Sequence, residues 1–576
     1  MKNTMKNTFH KSTFFVALAL SFFFAGCSDY LDVDTDTDSP VVAPINQLLP
    51  NVQLGVRNFN DYQFYSAEVL SVYTHQFTTR EDPDQYGARP SNSPMTNEWD
   101  NVYLTLTDIE SLIATASESN ASSETGNQMY VGVAQILKAY LMSSAVDLWG
   151  DVPFSEATQL EQGIVSASFD DQQEIYQGVL DLIDAGKANI ASEAGVKPGS
   201  EDLFYGGNMA QWIRYANTLK LKLYNQIKTT SLFSQSDFDA LVTEDNFFKS
   251  SADDFQFDHT ANQSPTDERN RLFVSAYGST QFGDYQSPWF YEILKGMNPN
   301  IFKGIEDPRV PYYFVNQLKA GVLPPDQGNA TTGDPNADYW DASTGFYSIR
   351  FGSIGPDRDH AAENSTTYPG IFPSGGFYDD KSGPTISIST GTGVAPHRIL
   401  TYDEFLYIQA ELIHSGLMAG SASDKLKEAM VASFAKVDEV VAGTGTSQDV
   451  PVLSGSEAVI GTPLSYIEKV IVLFNGASSE KQLEIIMTQK WVSTFGDTMD
   501  QYTDYRRTGY PVLANPVGPS PEYQLNNNDG FPLDDEVTVQ NNAFQRSIFW
   551  PQSELNLNQN APAQKNPATY TIFWDN

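Results

Sequence analysis

Apolar residues recur at helical spacing through much of the chain. Ile175, Val179, Leu182 and Ile183 share one face behind Asp170 and Gln173, and Trp212, Tyr215, Leu219 and Leu223 do so behind Asn208 and Gln211. Phe405, Ile408 and Leu412 follow Thr401 and Glu404, and Leu483, Ile486, Met487 and Phe495 follow Ser479 and Gln482. A small polar residue with a carboxylate or amide three positions later, ahead of such a stripe, predicts a capped amphipathic helix. Further helices are predicted near 100–118, 129–149, 422–440 and 464–474. The close pairing of the C-terminal ones predicts a scaffold of stacked helical hairpins, without a strict repeat of fixed length.

The middle of the chain breaks this pattern. Residues 321–400 hold 12 Gly and 8 Pro, so the backbone turns too often to stay helical. The same stretch holds nine aromatic residues, which argues against disorder. It reads as an ordered, loop-rich layer over a helical base, with a few short strands such as 385–390. The expected organisation is helical over 44–250, loop-rich over 251–400, helical again over 401–508, and an extended tail over 509–576.

The amino terminus carries Lys2, Lys6 and Lys11, then an apolar run from Phe14 to Phe24, then Ala25, Gly26 and Cys27, the single cysteine of the 576 residues. A charged start, a short apolar run and small residues make a secretory signal, here residues 1–26, too short to span a bilayer. Phe24-Ala25-Gly26-Cys27 resembles the bacterial lipobox, which implies that Cys27 is the lipidated first residue of the mature chain; Phe24 replaces the usual aliphatic residue. Residues 27–43, with Asp29, Asp32, Asp34, Asp36 and Asp38, read as an acidic tether extended by self-repulsion. The Asp32, Asp34, Asp36 spacing fails as an EF-hand, since Thr37 and Ala43 stand where glycine and glutamate are required.

A formal charge of -38 disfavours nucleic acid as a partner. With a mean hydropathy of -0.34 the body is not that of a membrane-spanning protein. His75, His259, His360, His397 and His414 are scattered, and no HExxH, CxxC or GxSxG occurs, so no metal, cofactor or nucleophile is indicated. A glycosidase needs only two carboxylates, which 72 acidic residues leave open.

Four blocks carry a family likeness: AYLMSSAVDLWGDVPFSEA (139–157), ILTYDEFLYIQAELIHSG (399–416), QKWVSTFGDTMDQYTDYRRTGYP (489–511) and FWPQSELNLN (549–558). Together, behind a lipoprotein signal, they resemble the SusD/RagB-like nutrient-binding outer-membrane lipoproteins. The resemblance implies a mostly α fold, a tetratricopeptide-like base of paired helices overlaid by ligand-binding loops, forming one domain over 44–576. It also implies a lipid anchor in the outer membrane facing the cell exterior, and a SusC-like TonB-dependent transporter as partner. Within these blocks Tyr140, Leu141, Leu148 and Trp149 are expected to pack inward, and Arg506 and Arg507 to hold Asp500 or Asp504.

A glycan site needs flat rings for stacking and a polar rim. The candidates are Trp340, Tyr339, Tyr285, Trp289 and Tyr378, with Tyr86, Arg89 and Asn92 from an earlier loop; Trp99 is expected to pack. The expectation is passive oligosaccharide binding, without catalysis. Peptide capture and surface glycoside hydrolysis remain alternatives, and the net acidity favours neutral or basic ligands unless local charge differs.

Overall fold

The computed structural model describes residues 43–79, 84–119, 123–279, 283, 285–324, 339–352, 365–454, 462–514 and 542–575. The leader, Cys27 and nearly all of the acidic tether lie outside them. The N-terminal helices are α1 Ile45–Asn58, α2 Ala67–Tyr73, α3 Ser93–Ser117, α4 Gln128–Trp149, α5 Gln172–Ala191, α6 Met209–Ile227 and α7 Gln235–Glu244. Four short ones follow: α8 Arg271–Gly278, α9 Pro288–Leu294, α10 Val310–Tyr313 and α11 Ile371–Ser374. The C-terminal set is α12 Tyr402–His414, α13 Ala422–Gly443, α14 Pro463–Gly476, α15 Ser479–Ser493, α16 Thr498–Thr508 and α17 Gln552–Leu557. The described strands form five two-stranded antiparallel pairs of two to four residues per strand and close no barrel.

Neighbouring helices pack as hairpins, α3 on α4, α4 on α5, α12 on α13 and α13 on α14. The α4–α5 crossing is set by two glycines: a Cβ on Gly132 would stand 2.5 Å from the Gly186 carbonyl oxygen, and one on Gly186 would stand 2.8 Å from that of Gly132. Backbone meets backbone there, which fixes how closely the helices approach. α4 is long and apolar enough to cross a membrane, but nine-tenths of its apolar window is buried inside the fold, so it is a core helix. Tyr140, Leu141, Leu148 and Trp149 all lie in that core.

Several helix starts differ from expectation by one residue. Asp171, not Asp170, caps α5 by accepting the N–H groups of Gln173 and Glu174, while Asp170 accepts those of Phe154 and Ser155 across a turn. Ser478, not Ser479, caps α15. Asn208 and Thr401 stand at the cap positions of α6 and α12 without a capping side-chain bond, and Glu404 turns inward. The expected strand at 385–390 is irregular chain. Its backbone is held by side chains: the Ile386 N–H donates to Gln317 Oε1 at 3.0 Å.

Arg507 reaches Asp504 at 2.9 Å and forms a fork on Glu411, whereas Arg506 lies over the Tyr502 and Trp574 rings and donates to the carbonyls of Tyr502 and Arg546. Asp500 pairs instead with Lys222 of α6. The tail returns to the base through Lys565, whose ammonium caps the α4 C-terminus at the Trp149 carbonyl and faces the Trp550 and Tyr570 rings. Burial pulls its pKa down, while the carbonyl and ring faces favour the charge.

Candidate functional site

The rings nominated from sequence are mostly interior. Tyr285, in a strand paired with Phe77–Thr78, Trp289 in α9, and Tyr339 are each 1% exposed. Trp289 donates its indole N–H to the Val512 carbonyl at 3.0 Å, and the Tyr339 ring packs edge-on to Phe346. Tyr86 is buried against Tyr73, Phe351 and Phe544, with its hydroxyl hydrogen-bonded to His75 Nε2 at 2.9 Å. Burial pulls the His75 pKa down to about 3, so this imidazole is a neutral core group. These four rings present no face to a ligand and are corrected from binding platform to core; the cap's apolar area is spent on holding loops to helices. Trp99 packs against Trp149, as expected.

Asn92 precedes α3 and accepts the backbone N–H of Arg89, so its side chain shapes a turn, while Arg89 is exposed. Two nominated rings keep part of their surface. Trp340 is half-buried on the hairpin Tyr339–Asp341/Phe346–Ser348, against the smaller apolar cluster that contains Tyr285. Its buried indole N–H has no hydrogen-bond partner among the described residues. Tyr378 stands half-buried and edge-on to Tyr312 at 4.9 Å. The structure does not gather the eight residues into one site.

What the loop-rich layer does form is a cleft of about 730 Å³, lined by neither of these two rings. Its walls come from Lys295 at the end of α9, the 306–311 segment, Asn316 to Ala320, the hairpin turn at Ser343 and Thr344, and the turn at Asp379 and Lys381. Two further grooves, of about 330 and 360 Å³, lie beside Trp99 on the helical base and beside His259, where the 256–259 and 394–396 segments meet α13.

Local chemistry fixes each wall. Asp307 accepts from Arg309 through both oxygens, at 3.0 Å from Nε and 2.6 Å from Nη2, and Arg309 is fully buried between Tyr313 and Phe434. Burial works against the guanidinium's charge, and the adjoining carboxylate outweighs it, holding the pKa well above the usual value. Glu306 pairs with Lys295 at 2.5 Å. Asn316 Nδ2 donates to Asp379 Oδ2 at 2.8 Å, and Thr367 Oγ1 donates to Asn316 Oδ1 at 2.7 Å, which orients the amide. Burial pushes the Asp379 pKa up. Tyr291 OH donates to Asp341 Oδ2 and shares a hydrogen bond with Thr344 Oγ1, both at 2.7 Å.

The cleft thus offers hydroxyl, amide, carboxylate and ammonium groups on a fixed frame, with an apolar floor of Pro308, Val310 and Pro311. That suits hydrogen-bonded capture of a polyhydroxylated ligand. Asp307 and Glu306 each face a cation, Arg309 and Lys295. Sequence reasoning missed Asn316, Lys319, Ser343, Thr344 and Lys381; the Asp379-Asp380-Lys381-Ser382-Gly383 run was the available signal, as turn-forming chemistry beside Tyr378.

Among the described residues, the acidic group with metal-like spacing is Glu404, Asp497 and Asp500, buried in the helical core. Lys222 pairs with Asp500, and Lys490 lies 3.2 Å from Glu404 and 2.7 Å from Asp504. Two ammonium groups already meet these carboxylates, which makes the cluster an internal charge network.

The sequence profile described as "Starch-binding associating with outer membrane" matches residues 37–532. The chain belongs to the SusD-like family. Solved structures share its fold: a "chitin-binding protein" at 20% identity and TM-score 0.64, covering 92% of this chain and 100% of its own. A SusD/RagB family protein from Bacteroides thetaiotaomicron follows at 18% and 0.65, covering 92% and 99%. A chitin-binding SusD homolog from Flavobacterium johnsoniae stands at 17% and 0.60, covering 92% and 98%. No curated protein matches the sequence. The SusD-like chain therefore has the expected mostly α architecture, and its family associates with the outer membrane.

Proposed function

We propose that this SusD-like protein is a cell-surface lipoprotein that captures oligosaccharides in the 730 Å³ cleft and passes them unaltered to a TonB-dependent transporter. The observation that carries the reading is the family match over residues 37–532, with its starch-binding description. The cleft supports it with polar groups on a rigid frame, and Trp340 and Tyr378, the two half-buried rings among the nominated ones, stand in the same loop-rich layer. Cys27 is the proposed anchor, acylated and held in the outer membrane, with the acidic residues behind it as tether.

Equilibrium titration against a panel of neutral and charged oligosaccharides, with product analysis of the same samples, tests this. Binding with the ligand recovered intact is expected. Appearance of new reducing ends would make the protein a hydrolase, and heat with peptides alone would make it a peptide-uptake protein.

A further inference from the structure

The groove of about 330 Å³ beside Trp99 has an aliphatic lining that faces water. Val165, Leu557 and Leu160 line it and stand 82%, 81% and 68% exposed. Large aliphatic side chains left in water around one groove mark an interaction surface. They are also held there. The Val152–Pro153 and Phe169–Asp170 strands pair and close the 155–168 loop at its base. Inside the loop the Ser168 N–H donates to Glu156 Oε2 at 2.8 Å, and the Ile164 N–H to the Gln159 carbonyl at 3.1 Å. Asn558 Nδ2 donates to the Ala167 carbonyl at 2.8 Å and Asn560 Nδ2 to that of Ser166 at 2.7 Å, which ties the loop to the chain that leaves α17. With the backbone bonded on both sides, the aliphatic side chains stand on a fixed frame.

Two carboxylates, Glu156 and Glu554, line the same groove, and no Lys, Arg or His lines it among the described residues. Glu156 accepts from Ser168, and Glu554 from Asn558 Nδ2 at 2.8 Å, neutral donors that leave both charges uncompensated. Aliphatic groups together with unpaired carboxylates fit a protein segment that presents an apolar side chain beside Lys or Arg. Other occupants fit worse. A second copy of this chain brings a formal charge of -38, and the acidic tether of residues 27–43 brings carboxylates to carboxylates. A sugar would set its hydroxyls against aliphatic side chains, while Trp99 is 4% exposed and offers no stacking face.

We propose that this groove is a docking surface for the TonB-dependent transporter, through a transporter segment in which an apolar side chain is flanked by basic ones. The inference rests on the transporter handoff of the proposed function. The groove and the 730 Å³ cleft share no lining residue, so the docked segment and the ligand do not compete for the same side chains.

For the test, the full-length lipidated protein is isolated from outer membranes in mild detergent, the transporter bound to it is identified by mass spectrometry, and the separated pair is titrated at low and at about 0.5 M salt. Val165→Ser/Leu557→Ser should weaken the pair at least roughly tenfold, since both truncations fall on the aliphatic lining. Glu156→Gln/Glu554→Gln keeps both hydrogen-bond acceptors, and should weaken the pair roughly threefold to tenfold at low salt and flatten its salt dependence. Both double variants should keep the parent's melting temperature and oligosaccharide affinity. Either one binding the transporter as the parent does would overturn the surface and leave the handoff standing. Oligosaccharide affinity lost in step with transporter affinity would make the groove part of the ligand site, and self-association of the parent through these residues in sedimentation would make the occupant a second copy; each overturns the proposal. If no transporter accompanies the parent protein, the handoff fails as well.

Discussion

Glu98 of α3 is fully buried, and its environment is lopsided. Oε2 accepts the backbone N–H groups of Asn60 and Ser66, each at 3.0 Å, while Oε1 has no hydrogen-bond partner among the described residues. Burial, reinforced by nearby Asp61, lifts its pKa from 4.5 to about 7. The unfolded chain releases this proton near the ordinary glutamate value, and the native protein keeps it until about pH 7. Between those values the folded state binds more protons, so stability falls as pH rises through the window, by about 1.4 kcal/mol per pH unit and roughly 3 kcal/mol in all. Glu98→Gln keeps an oxygen for both N–H donors and resembles the protonated acid, but cannot ionise. Urea unfolding of both proteins from pH 4 to pH 8 should show the variant gaining on the parent by roughly 3 kcal/mol across the series. Asp254, also pushed up to about 7, contributes equally to both proteins and cancels in the difference. A constant difference between the two proteins at every pH would refute the reasoning.

Glu404 and Asp500 lie too close in the core for both to ionise freely; burial first, and the Asp500 charge second, raise the Glu404 pKa well above the usual range. Glu404→Gln should therefore lower stability least, or raise it, at alkaline pH, checked by melting temperature at pH 5 and pH 9. Asp202 accepts five donors, from Gln53, Phe204, Tyr205, Gly207 and the Trp212 indole, so Asp202→Ala should cost at least about 3 kcal/mol in chemical denaturation. Gly132→Ala should cost roughly 1–3 kcal/mol by the same assay, because its methyl group would meet the Gly186 carbonyl.

The helical base was legible because its signal is local: a 3.6-residue stripe behind a polar start marks α5, α6, α12 and α15 within a residue or two. The caps slipped where two adjacent residues could serve, as with Asp170 and Asp171, and tertiary bonds chose between them. The ring assignments failed for a different reason. An aromatic in a turn-rich segment is equally suited to stacking on a sugar or to sealing a loop, and the partner that decides lies far along the chain. Trp289 meets Val512, and Tyr86 meets Phe544. The cleft was hidden likewise, since Asn316 depends on Thr367 and Asp379. No periodicity links those positions; only the packed loops bring them together.

The central claim is that ligand is held by the loop-rich layer and not by the helical base. Hydrogen exchange of the mature protein, with and without a saturating oligosaccharide that binds by titration, tests it most directly. The account predicts slowed exchange confined to 316–322, 342–346 and 379–383, with the exchange of α4 and α5 unchanged. Protection at the groove beside Trp99 and Tyr103, with those three segments unaffected, would contradict it.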